Sequence, residues 1–125
     1  MISTKAHGMM DYLMGIVLII APFLFGFANG EAAMWVPIIV GIAVILYSLF
    51  TDYEYGASPN ITMRTHLGLD ITGGLFLAVS PWLFGFADFV FWPHLILGLA
   101  EVFAALMTEK VPQRSPKRSA QKVKL

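Results

Sequence analysis

The sequence predicts an all-α membrane fold of four transmembrane helices, arranged as two tandem, parallel two-helix repeats. Three observations predict it. Hydrophobic residues make up 58% of the 125-residue chain and charged residues 13%, and the mean hydropathy is +0.74, outside the range of an ordinary soluble domain. A 21-residue pattern occurs twice, as HGMMDYLMGIVLIIAPFLFGF from His7 and HLGLDITGGLFLAVSPWLFGF from His66, at a constant shift of 59 residues, which reads as an internal duplication. The formal net charge of zero conceals a segregation: with four spans, Lys5, Arg64, Lys110, Arg114, Lys117, Arg118, Lys122 and Lys124 all lie on one side, and the loops of the other side contain Asn29, Glu31 and Asp88 but no base. The positive-inside rule then makes both termini of a multi-pass cell-membrane protein cytoplasmic.

The first apolar stretch runs from about Ala6 to Phe27. Lys5 ahead of it and small residues after it imitate a signal peptide, yet the same design recurs at His66, so the segment is expected to stay as the first helix. The second runs from about Ala32 to Thr51, the third from Thr65 to Phe86, and the fourth and shortest from Phe89 to Met107, interrupted by Glu101. Each is close to the roughly 20 residues that a helix needs to cross a bilayer. The second helices of the repeats match at a shift of 57, pairing Trp35 with Trp92, Gly41 with Gly98, Ala43 with Ala100 and Thr51 with Thr108. Two helices per repeat bring the second repeat in from the same side as the first, so a pseudo-two-fold axis along the membrane normal should relate the halves. The plan is therefore residues 1–51 for one repeat, 52–61 for a cytoplasmic linker, 62–108 for the second repeat and 109–125 for a tail.

The linker DYEYGASPNI has the residues of a turn at the interface. Trp35, Trp82 and Trp92 fall toward the outer interface, and Tyr47, Tyr53 and Tyr55 toward the inner one, as two aromatic belts. The tail from Lys110 holds six bases and no acid. It should be disordered and drawn to anionic lipid headgroups rather than to nucleic acid. The chain has no cysteine, which removes disulfides and thiolate metal sites from consideration.

Ser80-Pro81-Trp82, within LFLAVSPWLFGFAD, has a counterpart Ala21-Pro22-Phe23 within LIIAPFLFGFAN. On this tripeptide, its placement in both repeats and the Leu-Phe-Gly-Phe-Ala that follows each time, the chain resembles the SPW-repeat family of small prokaryotic membrane proteins over about residues 6 to 108. The resemblance implies the two-helix unit and a membrane location, and no activity. Independently of it, Pro22 and Pro81 cannot bond the carbonyls of Leu18 and Leu77, which should loosen the first and third helices near their outer ends, and the Ser80 hydroxyl can serve a freed carbonyl. Gly26 and Gly85 can end those helices.

The polar residues of the spans form a candidate intramembrane site. His7-Asp11-Gly15 and His66-Asp70-Gly74, spaced by four and eight, each occupy an arc of about 80° on one helix face, with the aspartates about 6 Å deeper than the histidines. A carboxylate at the bilayer centre costs about 3 kcal/mol, so both stripes should face protein. Gly8, Gly15, Gly68, Gly73 and Gly74 should permit close helix approach there. Glu101, whose matched position is Val44, should lie near Asp70 and His66. His94 beside Pro93 reads as interfacial. As metal ligands His66, Asp70 and Glu101 make a poor set, drawn from different helices without a repeated third member, and no metal or cofactor is expected. No nucleotide loop, nucleophile elbow or zinc-protease helix is present, so no enzyme is expected. The expected role is structural: a module that oligomerises or supports another membrane protein. The alternative is transport of protons, ions or a small solute through an oligomer, using Asp11, Asp70 and Glu101.

Overall fold

The computed structural model describes residues 1–112. Four helices account for them: α1 (Thr4–Leu24), α2 (Ala32–Leu49), α3 (Met63–Leu83) and α4 (Trp92–Leu106). Among the described residues there is no strand, only two isolated parallel bridges, Ile2 with Thr108 and Thr51 with Ile61. The expected tail begins at Glu109, whose N–H donates to the Ile2 carbonyl at 3.0 Å; the rest of it, from residue 113, lies outside the described residues.

The ends of α1 and α3 are set by matching residues. Ser3 Oγ accepts the Ala6 N–H and Thr62 Oγ1 accepts the Thr65 N–H, satisfying donors that have no partner within the first turn. At the other end Gly26 and Gly85 take φ of 76° and 74°, a left-handed conformation open to glycine. The chain then turns so that the Phe27 and Phe86 N–H groups reach the Pro22 and Pro81 carbonyls at 2.8 Å. Each helix thus passes its proline by two residues and stops.

α1 and α2 are long and apolar enough to cross a membrane, and α4 is apolar but has 15 residues. α3 has the length, with Arg64, His66, Asp70 and Thr72 diluting its apolar character. The four-helix arrangement is that of an all-α membrane protein. Large apolar side chains face outward on every helix, among them Leu13, Ile16 and Ile20 on α1, Ile39 and Ile42 on α2, Leu75 and Val79 on α3, and Ile96 and Phe103 on α4. The buried apolar core is small by comparison, with Leu18, Val36, Val40, Val44 and Leu77 at its centre.

Helices pair as α1 with α2 and α3 with α4, and contact between the pairs is much sparser. Glycine sets the closeness within each pair. A β-carbon on Gly41 would lie 2.6 Å from the Gly15 carbonyl oxygen, and one on Gly74 would lie 2.7 Å from that of Gly98. Of the other glycines expected at helix contacts, Gly8 faces the Tyr53 and Tyr55 rings, whereas Gly68 and Gly73 have open space beside them. Helical rotation of about 100° per residue accounts for the difference between Gly73 and Gly74.

The segment between α2 and α3 is more than a linker. Tyr53 is fully buried, Thr4 donates to both Glu54 carboxylate oxygens, and Tyr12 donates to the Tyr55 carbonyl at 2.8 Å. It folds back over the N-terminal end of α1.

Candidate functional site, a buried cluster of two histidines and two aspartates

The two His-Asp stripes meet. His7 and Asp11 come from the first turns of α1, His66 and Asp70 from the first turns of α3, and all four are at most 2% exposed. His7 Nε2 lies 3.0 Å from Asp11 Oδ1 and 2.7 Å from Asp70 Oδ2. His66 Nε2 lies 3.0 Å from Asp11 Oδ2 and 3.2 Å from Asp70 Oδ2. Each histidine therefore faces its own helix's aspartate and the other's, and the two rings stand edge to face with centroids 5.5 Å apart.

Threonines at the ends of the second helices orient the rings. Thr108 Oγ1 donates to the Ala104 carbonyl at 2.6 Å and lies 2.8 Å from His7 Nδ1. Thr51 Oγ1 donates to the Tyr47 carbonyl at 2.6 Å and lies 2.8 Å from His66 Nδ1. A hydroxyl has one proton, and here the backbone takes it. Both Nδ1 atoms must then be the donors to the threonine oxygens, and both Nε2 atoms turn to the carboxylates. The histidine of each repeat uses the threonine of the other, a reciprocity that a two-fold relation between the halves produces.

The carboxylates are held from outside the stripes as well. Tyr53 donates to Asp11 Oδ2 at 2.9 Å and Tyr47 donates to Asp70 Oδ1. Burial and the Asp11 carboxylate push the Tyr53 phenol above its ordinary range, so it stays a donor. These tyrosines were expected in an interfacial belt, and the structure turns both inward. Tyr55 alone of the three is exposed.

Glu101 is buried on α4 and stands beside the four-residue group rather than within it. With Tyr47, Asp70, Gly73 and Gly74 it lines a cavity of about 80 Å³. His94, in the first turn of α4, is buried against protein. It donates from Nε2 to the Ala33 carbonyl at 2.8 Å and packs on Phe27 and Phe86. The reason lies in α2: Pro37 has no N–H for the carbonyl four residues before it, and His94 supplies the missing donor.

The family model of the SPW repeat domain matches residues 5–108. The chain belongs to that family. No curated protein and no solved structure matches it. The SPW signature itself sits at the opposite end of α3 from the cluster, about 15 Å from Asp70 along the helix. There Ser80 Oγ donates to the Leu77 carbonyl at 2.7 Å, the bond that Pro81 leaves open, and Trp82 lies outward against Phe91. Pro22 is buried in the equivalent place on α1, with Phe23 outward. In this member of the SPW family the signature shapes a helix end, and the duplicated His-Asp stripes make the polar centre.

The stripes, their inward face and their one-turn spacing were readable in the sequence. So was a contact of each aspartate with its own histidine or a neighbouring helix near the axis; which atoms of the two stripes face each other was not, because that depends on the depth and rotation at which α1 meets α3. Thr51 and Thr108 carried a signal, being a matched polar pair at helix ends. Tyr47 and Tyr53 carried none, having no counterparts in the second half.

Proposed function

We infer that the chain is a multi-pass module of the cell membrane with both termini in the cytoplasm, and that its role is structural: to hold two helix pairs in a fixed relation and present their outer faces to a second copy or to another membrane protein. The buried His-Asp cluster carries the reading. It is the densest polar contact between pairs that otherwise touch sparsely, and it lies under a loop that covers its inner end. Outward apolar side chains on all four helices support immersion in lipid, whose tails would solvate them. Arg64 and Lys110, flanking an apolar groove with Leu67, Ile71 and Leu106, support contact with anionic headgroups, to which the basic tail would add. No catalytic role, cofactor chemistry or nucleic-acid partner belongs to this reading.

A second reading, transport of protons, ions or a small solute through an oligomer, is favoured by the cavity that Asp70 and Glu101 share. Reconstitution separates the two. A structural cluster predicts no pH-dependent flux in proteoliposomes, and a loss of about 2 kcal/mol of stability in Asp70→Asn, since bonds to a buried carboxylate are replaced by weaker ones. A flux in the wild type that Asp70→Asn or Glu101→Gln abolishes without unfolding would overturn the structural reading.

A further inference from the structure

The cluster has a donor problem. With Nδ1–H of both histidines committed to threonine oxygens, each Nε2 either bears a proton or presents a lone pair to carboxylate oxygens. A protonated Nε2 needs an aligned acceptor. His7 has one in Asp70 Oδ2, but His66 Nε2, fully buried and within 3.0 Å of Asp11 Oδ2 and 3.2 Å of Asp70 Oδ2, makes a hydrogen bond to neither. An unprotonated Nε2 would meet carboxylate lone pairs and be repelled, unless a cation lies among them.

We propose that His7, Asp11, His66 and Asp70 bind one divalent first-row transition-metal ion, a closed structural site at the joint between the two helix pairs. The proposal rests on the cluster being that joint. One ligand atom from each residue lies within 4.8 Å of the other three. Bonds of about 2.0–2.2 Å from a tetrahedral ion would set them about 3.3–3.6 Å apart, so the histidine–carboxylate pairs now at 2.7 to 3.2 Å would have to open while the widest pairs, within 4.8 Å, would have to close, with the ion drawing all four ligands to one distance. Two carboxylates and two neutral imidazoles carry two negative charges, which one dication cancels where an isolated charge is costly. Four protein ligands leave no open position, the hallmark of structural sites as against catalytic ones. Two nitrogens and two oxygens suit Zn²⁺, Fe²⁺ or Mn²⁺ and disfavour soft ions such as Cu⁺.

The surrounding hydrogen bonds match what metal-ligating side chains require. Each imidazole gives its far N–H to a fixed acceptor, and each carboxylate is steadied by a tyrosine hydroxyl. The sequence-based set of His66, Asp70 and Glu101 lacked its partners because they stand in the other repeat. His7 and Asp11 replace Glu101.

The full chain, purified in mild detergent through a tag free of histidine, stripped with a chelator, reloaded with Zn²⁺ or Co²⁺ and desalted, is expected to retain one ion per chain by mass spectrometry. Co²⁺ should show the intense visible bands of four-coordination. His66→Gln should lose stoichiometric binding. Thr108→Val keeps all four ligands and removes the acceptor for His7 Nδ1–H together with the bond to the Ala104 carbonyl, so it should fold and bind Zn²⁺ about 10- to 100-fold more weakly. A folded wild type that retains none of Zn²⁺, Co²⁺, Fe²⁺ or Mn²⁺, or a Thr108→Val chain that binds Zn²⁺ as tightly as wild type, overturns the proposal. If the metal is absent while Asp70→Asn still lowers the melting temperature, the metal site falls and the joint stands. If Asp70→Asn leaves the melting temperature unchanged, both fall.

Discussion

At Thr51 and Thr108 a single hydroxyl proton decides how a histidine one repeat away is oriented. The same economy recurs at the opposite end of the helices, where residues without an N–H create the need that a neighbour fills: Pro81 frees the Leu77 carbonyl for Ser80, and Pro37 frees that of Ala33 for His94. Of these, only the Ser80 bond was legible in the sequence, because donor and orphaned acceptor lie on one helix and their spacing is enough to pair them. His94 needed the packing of α4 on α2. Ser80→Ala is expected to cost about 0.6 kcal/mol in detergent, the usual worth of a hydrogen bond between buried groups in a membrane protein. Thermal unfolding of the purified variant measures it. A loss several times larger would mean that Ser80 does more than serve one carbonyl, which Ala21 in the same place on α1 argues against.

Within each helix pair, backbone meets backbone. Gly15 against Gly41 and Gly74 against Gly98 leave no room for a side chain; the obstacle at Gly41, Gly74 and Gly98 is a carbonyl that cannot move aside, and at Gly15 it is the Ile45 side chain with the Gly41 carbonyl behind it. Gly98→Val should therefore force α3 and α4 apart and cost about 1–3 kcal/mol, the range for overfilling a packed interior. Gly73→Val, facing open space, should fall within about 0.5 kcal/mol of wild type apart from its smaller helix propensity effect. Parallel unfolding curves of the two variants compare them directly. Periodicity alone placed the right glycines on the stripe, and also counted Gly68 and Gly73 as contacts. A sequence shows which residues are small, while the rotation of a helix against its actual neighbour decides which of them are crossed.

Seen whole, the described helices bury the ionisable groups of the centre and turn many large apolar side chains outward, and hydropathy, repeat length and charge side together made the four helices legible. They left α3 the hardest to place, since the residues that dilute its apolar character are the ones the centre uses. The topology predicts that single cysteines at Glu31 and Asp88 label with an impermeant reagent in intact cells, and that one at Ala57, exposed in the inner loop, labels only after permeabilisation. Labelling of Ala57→Cys in intact cells would invert the orientation. The two isolated bridges bear on a different matter. Ile2 lies against Thr108 as Ile61 lies against Thr51, with the Ile2 N–H reaching the Met107 carbonyl and the Ile61 N–H reaching that of Phe50, both at 2.8 Å. The beginning of α1 thus stands to the end of α4 as the beginning of α3 stands to the end of α2, and the helices close into a ring of which the chain happens to join three links out of four. Where the ring is cut should matter little: a circular permutant that begins at Pro59, bridges Glu109 to Ile2 with a loop as long as the one that joins Asp52 to Ile61, and ends at Ser58 keeps Tyr53 beside Asp11, and is expected to fold and melt within a few degrees of the parent.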